Sequence, residues 1–202
     1  MMNPKTPDHT SGELFDSRLT VLPAMLPSET LYSWCARYHR LTGNRLAADT
    51  SQQLFGTPNA GRLHDLTSHL AAFVERTHER FGTVESLARA HTLLGFYAPF
   101  KPADLIQQAC KTMAGPSVAR LKFQLGLQAS RVGATHPLKA CPECMADEVR
   151  KSGFAAWHLE HQWPSVWMCR RHGRWLQQST IKTKSILNQQ WLLPDDVPTE
   201  RW

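Results

Sequence analysis

The stretch Pro27-Ser28-Glu29-Thr30-Leu31-Tyr32-Ser33-Trp34-Cys35-Ala36-Arg37-Tyr38-His39-Arg40-Leu41-Thr42-Gly43-Asn44 decides the fold class. Leu31, Trp34, Cys35, Tyr38 and Leu41 recur at the i, i+3, i+4 spacing that lines up one face of a helix. Ser28, behind Pro27, is the N-cap candidate, because its hydroxyl can accept a backbone N–H that a helix start leaves open, and Gly43-Asn44 ends the run. A second helix is expected from Leu46 to Phe55, closed by Gly56-Thr57-Pro58. Two helices joined by a tight Gly-Asn turn resemble a helix-turn-helix, and an ordinary helical hairpin fits the same pattern.

The helical period continues downstream. Leu63, Leu66, Leu70, Phe73, Val74 and Phe81 make one stripe, and Val84, Leu87, Ala88, His91 and Leu94 the next. Tyr97 to Pro102 reads as a rigid connector, with Pro102 in the first turn of a helix that carries Leu105, Ile106, Ala109, Cys110 and Met113. A last helix near Ser117, with Val118, Leu121, Leu125 and Leu127, completes a helical domain over residues 27–134. Residues 1–26 are polar, proline-containing and aperiodic, which describes a flexible arm. His64, His69, His78 and His91 share no ligand spacing and read as surface or interface histidines. Cys35 and Cys110 lie on apolar helix faces, where a thiol packs as a small hydrophobe.

Residues 135–185 carry the chemistry. Cys141-Pro142-Glu143-Cys144 and Cys169-Arg170-Arg171-His172-Gly173 form a Cys-x2-Cys and a Cys-x2-His pair. Each short knuckle aims two side chains at one point, and two knuckles complete the tetrahedron that zinc prefers. Thiolates and a neutral imidazole suit zinc over calcium or magnesium. Four protein ligands leave no open position, so the expected ion is structural. His158 and His161 offer a rival closure, Cys-x2-Cys-x13-His-x2-His, but its last spacing is shorter than the fingers of that type use. Cys141, Cys144, Cys169 and His172 are therefore the favoured metal ligands. Around them we expect a zinc ribbon with a helical insertion: a short polar Met145–Lys151, a break at Gly153, helix from Phe154 to His161, and Pro164 as its stop. Trp157, Trp163, Trp167 and Trp175 should cover the small core, and residues 186–202 form a tail or the start of a further region. The fold class is thus mainly α with little β.

Lys and Arg number 23 against 17 Asp and Glu, a net charge of +6. That excess points to a polyanionic partner without specifying one. Lys139, Arg150, Lys151, Arg170, Arg171, Arg174, Lys182 and Lys184 crowd the second half. Of these, Arg170, Arg171, Arg174, Arg150, Lys151, Lys182 and Lys184 are the candidate DNA contacts, and a solvated basic surface accounts for them equally well. A DNA-binding role would require affinity to fall steeply with salt. No stretch is apolar enough to span a membrane, and Met1 to Asp8 lack the apolar core of a signal peptide. A cytoplasmic, reducing location is expected, with the cysteines as thiols or ligands. No P-loop, Gly-x-Gly-x-x-Gly, His-Glu-x-x-His or Gly-x-Ser-x-Gly occurs, so the chain is read as no enzyme. His158-Leu159-Glu160 matches the His-x-Glu of zinc deaminases, but the Pro-Cys-x-x-Cys that should follow it is missing.

The order of these features resembles the TniQ family of transposition proteins, and within it the TnsD-like branch of target-site selectors. The resemblance rests on Leu26-Pro27-Ser28-Glu29-Thr30-Leu31-Tyr32-Ser33, Ala36-Arg37-Tyr38-His39, Ser68-His69-Leu70, His91-Thr92-Leu93, and Tyr97-Ala98-Pro99-Phe100. It closes with the two knuckles and with Trp157-His158 and His161-Gln162, so it spans most of residues 23–185. What it implies is a non-catalytic adaptor of bacterial DNA transposition, nucleoid-associated while it works. Such an adaptor links target-site recognition to a AAA+ transposition ATPase on double-stranded DNA, and in some members it docks on an RNA-guided effector complex. TnsD-like selectors extend further with DNA-reading regions, so this chain is expected to be a short member or the recruiting part of a longer one. The alternative from another class is a stand-alone zinc-dependent DNA-binding regulator.

Overall fold

A computed structural model describes residues 21–127, 137–181 and 190–200. Among the described residues the fold is mainly helical, with one small sheet. In chain order the helices are α1 (Leu31–Thr42), α2 (Ala47–Phe55), α3 (Leu70–Arg76), α4 (Val84–His91), α5 (Leu94–Tyr97), α6 (Ala103–Ala114), α7 (Leu121–Gln124), α8 (Pro142–Ser152) and α9 (Leu159–Gln162). Three short strands, β1 (Lys139–Ala140), β2 (Gln177–Ser179) and β3 (Thr199–Glu200), pair antiparallel in the order β1-β2-β3. Lys139 faces Gln178, and Gln178 in turn faces Glu200. No helix of the described residues is long and apolar enough to cross a membrane.

Helix α1 sits at the centre. Leu31, Trp34, Cys35 and Tyr38 are buried, and Trp34 packs against Phe73 and Phe81 with ring centroids 5.3 and 4.9 Å away. Its N-cap is Thr30, whose hydroxyl accepts from Ser33 N–H at 3.1 Å, and not Ser28. The displacement has a tertiary cause. Glu29 lies opposite His158 as an antiparallel pair, Thr30 N–H donates to the Trp157 carbonyl, and Leu159 N–H donates to that of Ser28. The backbone before Thr30 is thereby committed to pairing. Gly43, at φ 67°, closes α1 in the left-handed conformation that glycine adopts without strain.

Other elements depart from the periodicity for comparable reasons. The stripe expected from Leu63 becomes helix only at Leu70. Upstream, Asp65 accepts from Leu66 N–H and ion-pairs with Lys122 at 2.5 Å, Thr67 donates to the Leu63 carbonyl, and His69 is left-handed at φ 62°. Local side-chain bonds of this kind compete with the helical ladder. The helix expected from Phe154 to His161 shrinks to α9, because the N–H groups of residues 155–157 are spent elsewhere: Ala155 on Asp195, Ala156 on Glu148, Trp157 on the Ser33 hydroxyl. The one near Ser117 shrinks to α7, whereas Met145–Lys151 lies wholly within α8.

One core joins these parts. It runs from Leu31 through the helices to Leu138, Ala140 and Trp157, and takes in Trp191, Leu193 and Val197. Trp191 donates its indole N–H to the Ala47 carbonyl and stacks over Phe55, and Tyr32 OH donates to the Gln190 carbonyl. Cys35 and Cys110 are buried in this core, as their apolar faces predicted. His64 is buried too, beside Asp65, and is an interior group, whereas His91 is half-buried with Nδ1–H donating to the Glu29 carbonyl.

Candidate metal centre

β1 delivers the chain to Cys141, which precedes α8 as its N-cap residue, with Pro142 in the first turn and Cys144 one turn in. Pro fits there because its missing N–H would have no intrahelical partner. The second knuckle is the turn of a hairpin. Met168 lies opposite Trp175, Cys169 N–H donates to the Arg174 carbonyl, and Gly173 N–H donates to that of Cys169. Gly173 stands at φ 59°, the left-handed value the tight turn requires. A helix start and a hairpin turn, held by different parts of the chain, thus point at one spot.

The ligand atoms of Cys141, Cys144, Cys169 and His172 all lie within 4.8 Å of one another, and the group could hold a metal ion. His172 Nδ1 is 3.5, 3.3 and 3.8 Å from the sulfurs of Cys141, Cys144 and Cys169, and the Cys144 and Cys169 sulfurs are 3.7 Å apart. A tetrahedral zinc with Zn–S of about 2.3 Å and Zn–N of about 2.0 Å sets sulfurs about 3.8 Å apart and sulfur from nitrogen about 3.5 Å apart. The residues fit the ion. Burial pushes the Cys144 thiol well up, and the neighbouring thiols Cys141 and Cys169 push it further. Burial also raises Cys141. A cation beside Cys141 and Cys144 would favour their thiolate forms against this burial.

His172 Nε2 faces Asp147 Oδ2 at 3.7 Å. A carboxylate behind a ligating imidazole sets which ring nitrogen is free for the metal. Asp147 follows Cys144 by one helical step on α8, a signal available in the sequence and not used there. The rival histidines lie outside the cluster. His158 Nε2 is 2.5 Å from Glu148 Oε1, and His161 is buried beside it with ring centroids 5.1 Å apart. His158 ties the start of α9 to α8 through Glu148, which also accepts from Ala156 N–H, and Gln162 brackets Lys139, its Oε1 accepting from the N–H and its Nε2 donating to the carbonyl.

The basic residues divide. Arg150 is bound to Asp147 at 2.5 Å, Arg174 to Glu143 at 2.5 Å, and Arg171 reaches Asp147 at 3.6 Å. Arg170 and Lys151 are exposed without an ion-pair partner among the described residues. Lys182 and Lys184 lie outside the described residues. Lys139 is no surface charge: it is buried, its Nζ donates to the carbonyls of Trp163 and Val166, and burial lowers it to about 8. Trp157 covers the core as expected, but Trp167 and Trp175 are 38% and 65% exposed, because the hairpin turns its tryptophans outwards.

A family model described as TniQ matches residues 20–176. Among curated proteins the chain is similar to the transposon Tn7 transposition protein TnsD of Escherichia coli, at 28% identity over 153 residues. That match covers 75% of this chain and 30% of TnsD, so the chain spans about a third of the length of the relative it matches.

Proposed function

Because the chain belongs to the TniQ family, we propose that it is a non-catalytic adaptor in DNA transposition, linking target-site recognition to recruitment of a AAA+ transposition ATPase. The observation that carries this reading is the union of the helical part and the knuckle region in one body: residues 28–30 pair with residues 157–159, and the core is shared. A body of fixed shape suits a protein that acts by binding alone, since an adaptor shifts an assembly only by contacting it better than it contacts the free parts. Residues 27–134 and 135–185 serve as the platform; the arm expected over residues 1–26 is shorter at its C-terminal end, because Leu22 and Met25 pack on the core and the Pro23 and Ala24 carbonyls accept from Trp34 and Arg37, so residues before these are the arm that meets the partner.

In the same reading Cys141, Cys144, Cys169 and His172 hold a structural zinc. Bound there, the ion contributes folding energy to a region whose own apolar cluster is small. Double-stranded DNA is met by Arg170 and Lys151 together with Lys182 and Lys184, while Arg150, Arg171 and Arg174 stay committed to carboxylates. The target is read either through such contacts or by an RNA-guided effector on which the platform docks.

The test is cosedimentation of the chain with the cognate AAA+ ATPase on duplex DNA with nucleotide, beside samples lacking the ATPase. Recovery that depends on the ATPase, with a lowered ATPase concentration for assembly, is the expected result. Recovery on DNA alone, unchanged by the ATPase, would replace the adaptor with a stand-alone DNA-binding regulator.

A further inference from the structure

Helix α8 and the hairpin are joined by charge as well as by ligands. Glu143 and Asp147 stand four positions apart on α8, a spacing that stacks both carboxylates on one face. Both reach the hairpin: Glu143 Oε1 accepts from Arg174 Nε at 2.5 Å, and Asp147 Oδ2 lies 3.6 Å from Arg171 Nη2. The arginines of the second knuckle are thus answered by the helix that supplies Cys144.

The two carboxylates differ in one respect. Among the described residues Glu143 pairs with Arg174 and faces no histidine, and its side chain is 45% exposed. Asp147 also faces His172, with Oδ2 3.7 Å from Nε2 and both side chains largely enclosed. Arg150 Nη2 holds the other oxygen, Oδ1, at 2.5 Å, which leaves Oδ2 turned towards the hairpin.

The orientation of the ring gives that approach its meaning. Nδ1 is the nitrogen beside the three sulfurs, so Nε2 is on the far edge. A neutral imidazole that offers a lone pair at Nδ1 carries its proton at Nε2. At 3.7 Å the carboxylate is beyond hydrogen-bond reach and acts by charge. It favours a proton on the edge it faces and hence a lone pair on the edge that faces the sulfurs. Partial burial limits the screening of that charge by water.

We infer that Asp147 is a positioning residue of the metal centre: held by Arg150, its carboxylate orients His172 and sets how tightly the four side chains hold zinc, whereas the Glu143–Arg174 pair on the same face has little bearing on the metal. The inference rests on the zinc reading of Cys141, Cys144, Cys169 and His172.

The test is the zinc affinity of the full 202-residue chain, by competition with a chromophoric chelator at fixed pH, together with NMR of the zinc-loaded protein. Asp147→Asn keeps the shape of the side chain and removes its charge. It should weaken zinc about tenfold and move the His172 Nε2–H resonance. Glu143→Gln, the matched change one turn earlier, should alter the affinity by less than about threefold, as befits an exposed ion pair, and leave that resonance in place. The indole N–H groups of Trp157 and Trp191, which donate to the Leu192 and Ala47 carbonyls, report on the core and should be unmoved in both variants. Unchanged affinity in Asp147→Asn, equal losses in the two variants, an unmoved His172 resonance, or a loss accompanied by displaced core indoles or failure to fold would each overturn the inference and leave the zinc reading standing. An unaltered chain that binds no zinc would overturn both.

Discussion

Glu29 and Arg37 meet as a two-pronged ion pair inside the protein. Arg37 Nε donates to Oε1 at 2.8 Å and Nη2 to Oε2 at 2.7 Å, with the side chains 0% and 9% exposed. The remaining capacity is also used, since Arg37 Nη2 donates to the Ala24 carbonyl, Leu26 N–H donates to the Glu29 carboxylate, and the guanidinium lies 5.1 Å over the Phe154 ring. A pair so enclosed adds little against a well-packed apolar substitute, but removing one partner strands the other. Arg37→Met should therefore cost about 3–5 kcal/mol. The companion variant Glu29→Gln with Arg37→Met should recover part of it, as read from urea unfolding. Additive losses would show that the two residues act independently.

Metal content separates the two ligand sets. If the unaltered chain binds the proposed zinc, at about one ion per chain, Cys169→Ser should lose most of it, whereas His158→Ala should keep it, because His158 is committed to Glu148. Elemental analysis after gel filtration decides between them. Full zinc in Cys169→Ser would remove the hairpin from the site.

The pH dependence follows from two neighbouring histidines of opposite sign. Burial, and after it the charge of His158, lowers His161 from 6.5 to about 4. Between those values the unfolded chain takes up a proton that the folded chain refuses, so stability falls as pH falls through this window. Across the whole window the loss is of order 3–4 kcal/mol at about 1.4 kcal/mol per unit. His158 behaves oppositely. Burial opposes its charge, but the hydrogen bond and charge of Glu148 outweigh that and raise it above 6.5. Its stabilisation is present below 6.5 and is lost as pH rises through the raised value. In urea unfolding at pH 7 and pH 4.5, His161→Phe should lose less stability than the unaltered chain on acidification. Equal losses would rule out His161 as the source.

Gly61 tests the seat of the Trp191 segment. It stands at φ 75°, and an added Cβ would lie 2.5 Å from Phe55 Cε2 and 2.7 Å from Trp191 Cη2. Strained backbone and a forced ring displacement together predict a loss of about 2–4 kcal/mol for Gly61→Ala. Thermal unfolding measures it, and a variant as stable as its parent would mean that the aromatic stack yields without cost.

Much of this was legible from residue order. The central helix followed from the spacing of Leu31, Trp34, Cys35 and Tyr38, and the metal cluster from two short chelating pairs, because both depend on neighbours in sequence. What escaped depends on partners far along the chain. Thr30 displaces Ser28 as the cap because residues 28–30 pair with residues 157–159, and residues 155–157 stay out of the helix because their N–H groups bond to Asp195, Glu148 and Ser33. Asp65 interrupts a helical stripe to reach Lys122. The outward turn of Trp167 and Trp175 could not be read from composition, since the same residues serve equally in a core.

The bond from Trp157 N–H to the Ser33 hydroxyl spans 124 positions. Its consequence concerns the order of events during synthesis. The first helix leaves the ribosome early, yet the strand that completes its start is made only once Leu159 has been added. Until then the Ser28 carbonyl and the Thr30 N–H must stay with water. The N-terminal helix therefore finishes late, and a nascent chain halted before that point should remain open to chaperones and proteases along the surface destined to become its most buried.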